Sequence, residues 1–355
     1  MRFKELTLVV AKYLGLFRLA RWLTGSALRI VCYHGFAFRD EAEFRPKLFM
    51  HRSTFEQRLA LLARYRFPVL PLEEALRRLA EGSLPRNATV ITIDDGFHSL
   101  YALAVPALHA HGFPATAYVS TYYVEHQAPI YRLAVQYLFW KSKLATATFR
   151  GHDWIADGAV NLRDPQTSAR AMWEIIRYGE ERSSEPGRGR ITAELAQALA
   201  VDLSWIMQSR ALSLMTPAEL RGLPALGVDV QLHTHRHRLA VDDEAAVRDE
   251  IQTNREVLAR AVGARANHLC YPSGVWVKRQ WPWLERLGVQ SATTCIPGFN
   301  YRSTPPLGLN RFLDAENIPV IAFEAELFGF LELVRRTRRR LTPASGADLS
   351  PASEA

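Results

Sequence analysis

The chain has 355 residues, 48% of them hydrophobic and 23% charged, and a net charge of +8 at neutral pH. That is long for one ordinary domain, but α/β barrels often run past 200 residues as a single unit, and the composition fits a soluble enzyme with a large core. Its three cysteines, Cys32, Cys270 and Cys295, are few, odd in number and set in apolar stretches; this excludes a disulfide framework and implies a reducing compartment.

At the N-terminus, Met1-Arg2-Phe3-Lys4 followed by an apolar stretch imitates a secretory signal. Lys12, Arg18 and Arg21 interrupt it, no small-residue cleavage site follows, and the charge-free segments are too short to span a membrane. Read as a helix, residues 3–24 place Leu6, Val9, Val10, Tyr13, Phe17 and Ala20 on one side. Lys4, Lys12, Arg18 and Arg21 share the other with Leu8 and Trp22. Such a helix either covers one end of a barrel or lies on an anionic membrane.

Residues 29–33 read as the first strand, and Ser53-Thr54-Phe55-Glu56 as a capping box opening a helix. Residues 72–81 read as a further helix. Val90-Ile91-Thr92-Ile93 is β-branched and mostly apolar, a buried strand that ends in Asp94-Asp95-Gly96. Successive strand residues face opposite ways, so the two carboxylates diverge if the strand persists through them, and Gly96 lets the backbone turn sharply. Taken alone, Asp-Asp-Gly reads sooner as a turn with a helix cap. Residues 99–111 read as helix ended by Gly112, and 115–120 as the next strand.

Residues 125–212 look like an insertion. Residues 146–150 and 159–163 pair as a hairpin across Asp157-Gly158, and 168–181 and 191–209 are helices joined by a polar stretch. Tyr122, Tyr123, Tyr131, Tyr137 and Trp140 make its beginning aromatic, suited to stacking on sugar faces or to helix packing. The insertion is expected to cover the site and narrow substrate choice.

Val228–Leu232 then alternates as a strand and delivers His233-Thr234-His235-Arg236-His237. One helical turn or a tight loop brings His233 and His237 to one side, with His235 pointing elsewhere. Three of eleven histidines in five residues is a concentration that points to a metal rather than a polar surface loop. Two histidines and one carboxylate hold a divalent ion with a position open for water, and a neighbouring carboxylate can take that water's proton.

Thr92-Ile93-Asp94-Asp95-Gly96 closely resembles the T-F-D-D-G motif of polysaccharide deacetylases of the NodB-homology type, and His233-Thr234-His235-Arg236-His237 matches their H-[S/T]-x-x-H. Tyr271-Pro272-Ser273-Gly274 resembles the third motif, and Tyr33-His34 the Y-H near the start of many members. The resemblance covers roughly residues 28–125 and 213–315. It implies a distorted (β/α) barrel of the NodB-homology type with a mainly helical insertion, its site at the C-terminal ends of the strands. The implied division is an N-terminal amphipathic helix (1–27), a first barrel part (28–124), the insertion (125–212), a second barrel part (213–330), and a basic helix end with a disordered tail (331–355).

The resemblance further implies hydrolysis of an N-acetyl group on an amino sugar. Asp95, His233 and His237 would bind one divalent metal, zinc by usual expectation with cobalt or nickel able to replace it, and Asp94 would be the general base. Tyr271, Pro272 and His98 are candidate substrate contacts. The sequence departs from the family in two places. The arginine usual before the third-motif proline is missing, and Arg311 is the candidate to orient the base. The late Leu-x-His that supplies the acid is also missing, and His34 is the candidate acid, with His98 a second.

An N-acetylated saccharide is thus the expected partner. A related amidohydrolase on a small non-sugar amide, or a catalytically inactive saccharide-binding homologue, are the alternatives. Much of the positive charge is local to the arginine run at 335–340, with no recognisable nucleic-acid motif, so no specific nucleic acid is expected. The expected location is cytoplasmic, with peripheral contact at the inner face of a bacterial membrane through the basic N-terminal helix and tail.

Overall fold

The computed structural model describes residues 3–341. Eleven strands occur among them: β1 Arg29–Tyr33, β2 Gly35–Ala37, β3 Phe49–His51, β4 Thr89–Ile93, β5 Ala115–Val119, β6 Thr146–Phe149, β7 Gly158–Asn161, β8 Val228–Leu232, β9 His268–Cys270, β10 Ser291–Thr293 and β11 Phe312–Leu313. Seven form one sheet in the order β10-β9-β8-β5-β4-β1-β11, and every neighbouring pair is parallel. β1, β4 and β5 are buried along their whole length, as strands of a parallel sheet covered by helices must be.

Leu309, just before β11, bridges Thr293 of β10, so the chain from Leu309 to Leu313 spans the gap between the two sheet edges. The sheet therefore curls into a distorted barrel, and the α/β class expected from the sequence is the observed one. All seven strands run the same way, so Tyr33, Ile93, Val119, Leu232, Cys270 and Thr293 end at one rim. The candidate site lies there.

Two small two-stranded pairs stand apart from the sheet, β2 with β3 in parallel and β6 with β7 as an antiparallel hairpin. β6 and β7 belong to a segment with its own apolar core, in which Tyr131, Leu138, Phe149, Trp154, Ile175 and Leu195 are buried together. The connection between these strands runs over residues 150–157, and Gly158 already pairs with Phe149, so the turn is longer than the one expected at Asp157-Gly158. The helix expected over 191–209 is two, Glu185–Ala198 and Ser204–Ser209; Ser184 caps the first, so the polar stretch before residue 191 is itself largely helical.

The single N-terminal helix expected over 1–27 is corrected. The structure has α1 (Phe3–Tyr13) and α2 (Leu16–Leu23), broken where Gly15 adopts φ +77°, a conformation that costs glycine little. The break also separates the expected apolar face. Phe17 and Ala20 are buried, whereas Leu6, Val10 and Tyr13 are exposed. The capping box expected at Ser53 is absent as well. That helix starts at Arg52, and Thr54 donates its hydroxyl hydrogen to Glu316, far away in sequence. No described helix is long and apolar enough to cross a membrane. The tail from residue 342 lies outside the described residues.

Candidate active site

Asp94 and Asp95 leave the end of β4 in opposite directions. The Asp94 amide still donates to Tyr33 O at 2.9 Å, which extends the ladder by one residue, and then the backbone turns through Asp95 at φ +69° and Gly96 at φ +87°. Glycine is required at 96, because a Cβ there would lie 2.7 Å from Val119 Cγ1. Asp95, Thr234, His237 and Ser273 all have left-handed φ, so each of the three motifs carries at least one non-glycine residue in a costly conformation. Such strain persists only where surrounding contacts impose it.

Asp94 points inward and is 2% exposed. Arg311, wholly buried, grips it with two parallel bonds, Nη1 to Oδ1 and Nη2 to Oδ2, each 2.8 Å. The same guanidinium donates through Nε to Thr294 O at 3.0 Å and through Nη1 to Thr92 Oγ1 at 3.3 Å. The Cys270 and Cys32 thiols lie 3.2 and 3.5 Å from Asp94 Oδ2. Burial alone would raise the Asp94 pKa, but the Arg311 charge and its hydrogen bonds outweigh it and hold the carboxyl well below the usual range. Asp94 is therefore an anion fixed in one orientation.

Asp95 faces the other way, to the histidines. His233 Nε2 and His237 Nε2 lie 3.2 and 3.3 Å from Asp95 Oδ1. Tetrahedral zinc with bonds of about 2.0–2.1 Å places its ligand atoms about 3.3 Å apart, so the spacing of these three groups fits such an ion. His233 Nδ1 lies 2.9 Å from Cys270 O, so Nδ1–H donates there and Nε2 is the ring atom that faces Asp95. His233 is 2% exposed and His237 42%, so the trio is anchored on one side and open on the other. Three protein ligands with an open side are the arrangement of a catalytic ion rather than a structural one.

Two other groups have metal-like spacing, Cys32 with His34 and Asp94, and Asp94 with His233 and Cys270. Both include the carboxylate that Arg311 already neutralises, and a guanidinium at 2.8 Å repels a cation. Asp95, His233 and His237 are thus the residues that fit a divalent ion.

His34 Nε2 sits 3.8 Å from Asp94 Oδ2 with its side chain 19% exposed, and its buried Nδ1 has no hydrogen-bond partner among the described residues. The structure thus brings together Asp94, Asp95, His34, His233, His237 and Arg311. It does not bring the remaining candidates to them in the same way. His98 Nδ1 is 3.0 Å from Glu219 Oε1 and 3.2 Å from Arg210 Nη1, and its ring stacks on Phe38. Tyr271 and Pro272, the candidate substrate contacts, are packed into the interior. The Tyr271 hydroxyl donates to Leu307 O at 3.0 Å, and its ring stacks on Trp276.

Asn254 is a site residue that the sequence reading missed. It lies fully buried on the helix Glu244–Val262, accepts the His233 amide on Oδ1 at 3.0 Å, and donates to Val119 O and Thr121 Oγ1. Ser120 donates to His233 O from the adjacent strand end. The one signal available was a polar residue at a core position of an amphipathic helix, which gives no indication of its partner. His235 turns away from the trio as expected, its Nδ1 3.0 Å from Thr121 Oγ1.

The structure thus sets a two-histidine, one-carboxylate cluster and a buried second aspartate at the C-terminal rim of a parallel, barrel-like sheet, an arrangement that suits metal-assisted hydrolysis. Residues 188–292 match the polysaccharide deacetylase family model, a span that includes the histidine motif and Tyr271 but not Asp94 or Asp95. The fold is similar to that of the Streptococcus pyogenes deacetylase PplD in complex with acetate, with a TM-score of 0.56 and 16% identity over 87% of this chain and 98% of that one. It is also similar to IcaB from Ammonifex degensii (0.53 and 16%, over 86% and 97%) and to a de-N-acetylase from Aggregatibacter actinomycetemcomitans (0.52 and 11%, over 84% and 99%). No curated protein sequence matches the chain. The family match over residues 188–292 and the fold shared with these deacetylases agree with the resemblance carried by the sequence motifs.

Proposed function

We propose that this protein removes N-acetyl groups from an amino-sugar-containing glycan or glycolipid, with a divalent ion, zinc in the first instance, held by Asp95, His233 and His237. The observation that carries the reading is the division of labour between adjacent aspartates, Asp95 with two histidines at 3.2 and 3.3 Å and Asp94 in the grip of Arg311. An ion so held supplies a Lewis acid that polarises the amide carbonyl and acidifies water.

The chain's own groups then act as follows. Asp94 accepts a proton from the attacking water on a lone pair that its partners leave free, since a carboxylate has about four acceptor sites. Arg311 keeps that carboxylate ionised and in one orientation. His34, partly exposed beside Asp94, hands a proton to the departing amine, so that water and amide become acetate and a free amino group. Asn254 and the Cys270 carbonyl hold His233 in place from the backbone and ring sides. The segment 125–212 continues from the helix Tyr122–His126, where Tyr122 N donates to His235 O at the rim, and restricts which saccharides enter.

Against the inactive saccharide-binding role that the missing late histidine suggested stands the grouping of Asp94 and Arg311 with all three candidate ligands. The test is acetate release from a panel of N-acetylated amino sugars and oligosaccharides, with Asp94→Asn beside the wild type. The variant keeps its metal and loses about 10²–10⁴-fold in turnover. Full activity in Asp94→Asn removes the base assignment, and no acetate from any N-acetylated sugar by metal-loaded wild type removes the function.

A further inference from the structure

The described residues have twelve exposed large hydrophobic side chains, and eight of them lie between Leu6 and Leu23. Leu14, Leu19, Trp22 and Leu23 are 71%, 52%, 67% and 51% exposed, and Tyr13 is 87% exposed. Core packing does not account for them, since α2 already buries an inner face, where Phe17 packs on Phe328 and Phe330 with ring centroids 6.1 and 5.3 Å apart. α2 is therefore apolar on two faces, one inside the protein and one outside. Between its outer face and the last helix, Phe330–Leu341, runs a groove of about 310 Å³ lined by Leu16, Leu19, Leu333, Val334 and Arg338. Apolar patches of this kind on a folded chain mark interaction surfaces.

Charge selects the occupant. Residues 3–24 and 330–341 hold nine Lys and Arg against two Glu, close to the whole of the chain's net charge of +8. Lys12 pairs with Glu324, and Arg335 with Glu326 and Glu332. Arg18, Arg338 and Arg339 are exposed and form no ion pair among the described residues. A second copy of the chain would bring two such faces together, like charge against like charge. A surface with an apolar layer beneath a negative one answers both features at once, with Leu side chains below, Trp and Tyr at head-group level and arginines among the anionic heads.

We propose that α1, α2 and the last helix form a face that docks on an anionic lipid bilayer without crossing it. Its position has a consequence for substrate presentation. Thr24, which caps α2, accepts on Oγ1 from Arg29 Nη2 at the start of β1, and Trp22 O accepts from Arg86, just before β4. Arg21 donates to Tyr65 O. These contacts lie at the end of the barrel where strands begin, whereas the candidate site lies where they finish. A docked molecule thus turns its site away from the bilayer, towards glycan reaching out from the surface rather than a sugar lying against the head groups.

The test is flotation of the full chain with vesicles of phosphatidylcholine alone and of phosphatidylcholine mixed with phosphatidylglycerol. The protein floats with the mixture at low salt and binds at least about tenfold more weakly to neutral vesicles. Leu19→Ser/Trp22→Ser, both at exposed positions, lowers partitioning by about tenfold or more while circular dichroism stays unchanged. Arg18→Gln and Arg338→Gln each lower it by about fivefold and leave the apolar face intact. Protein that stays in solution with anionic vesicles overturns the proposal, as does equal flotation of the double variant. A salt-resistant dimer in the absence of lipid, abolished by Leu19→Ser/Trp22→Ser, assigns the face to a second copy instead. Flotation is independent of deacetylation, so failure here leaves the proposed function standing.

Discussion

Replacing Arg311 by Met isolates what holds the base in place. The substitution leaves Asp94, 2% exposed, as a buried anion without its counter-charge. Breaking a buried pair from one side costs about 3–5 kcal/mol. The lost bonds to Thr294 O and Thr92 Oγ1 add about 1–2 kcal/mol, for a total of about 4–7 kcal/mol at neutral pH, a large part of a typical domain's stability. Asp94→Asn/Arg311→Met removes the stranded charge and recovers most of the pair's share, leaving a deficit of about 1–3 kcal/mol. The two proteins also differ in pH dependence. In the wild type the Asp94 pKa is depressed, so the pair's contribution is complete above the unfolded value near 4 and is lost as the pH falls below it. In Arg311→Met burial raises that pKa, so the variant loses stability as the pH climbs from about 4 through the raised value. The gap between them therefore widens from acid to neutral pH. Urea unfolding of chelator-treated protein at several pH values measures it. A deficit below about 1 kcal/mol, a gap that does not change with pH, or a double variant no better than Arg311→Met refutes the reasoning.

The other expectations follow from the geometry of the rim. Asn254→Ala strands the His233 amide and Val119 O in the interior and costs about 2–4 kcal/mol; it also weakens metal binding by about 10–100-fold although Asn254 is not among the candidate ligands, and competition with a chelating dye reads that change. Gly96→Ala combines a left-handed φ with a contact at 2.7 Å and costs about 2–4 kcal/mol in urea unfolding. Adding Val119→Ala to it relieves the steric part but not the backbone part, so relative to Val119→Ala alone the Gly96→Ala cost shrinks without vanishing, and its complete disappearance would count against the strain argument.

Local pattern made the central strands legible. β1 was read at its observed limits, and β4 and β5 within a residue, because β-branched apolar runs buried on both faces have few other uses. The divergence of Asp94 and Asp95 followed from strand alternation, and their separate partners bear that out. What escaped the reading depends on distant partners. Arg311 grips a carboxylate 217 positions away, so spacing could raise it only as a replacement for a missing arginine. Thr54 was drawn from a capping role by Glu316, and Tyr271 was drawn inward by Leu307 O and Trp276. The break at Gly15 was visible as a glycine, but a lone glycine inside an amphipathic pattern is often tolerated. The outward apolar face of α2 was legible only in part, as Trp22 among the basic residues, because sequence periodicity assigns apolar residues to the interior by default.

The central claim is a single divalent-ion site made by Asp95, His233 and His237. Metal content of untagged protein, stripped with chelator, reloaded with zinc and measured by inductively coupled plasma mass spectrometry, tests it most directly, with His237→Ala and Asp94→Asn treated alike. The account predicts one tightly held ion per chain in the wild type and in Asp94→Asn, none in His237→Ala, and acetate release only from the loaded wild type. Zinc retained equally by His237→Ala, or none retained by the wild type, would contradict it.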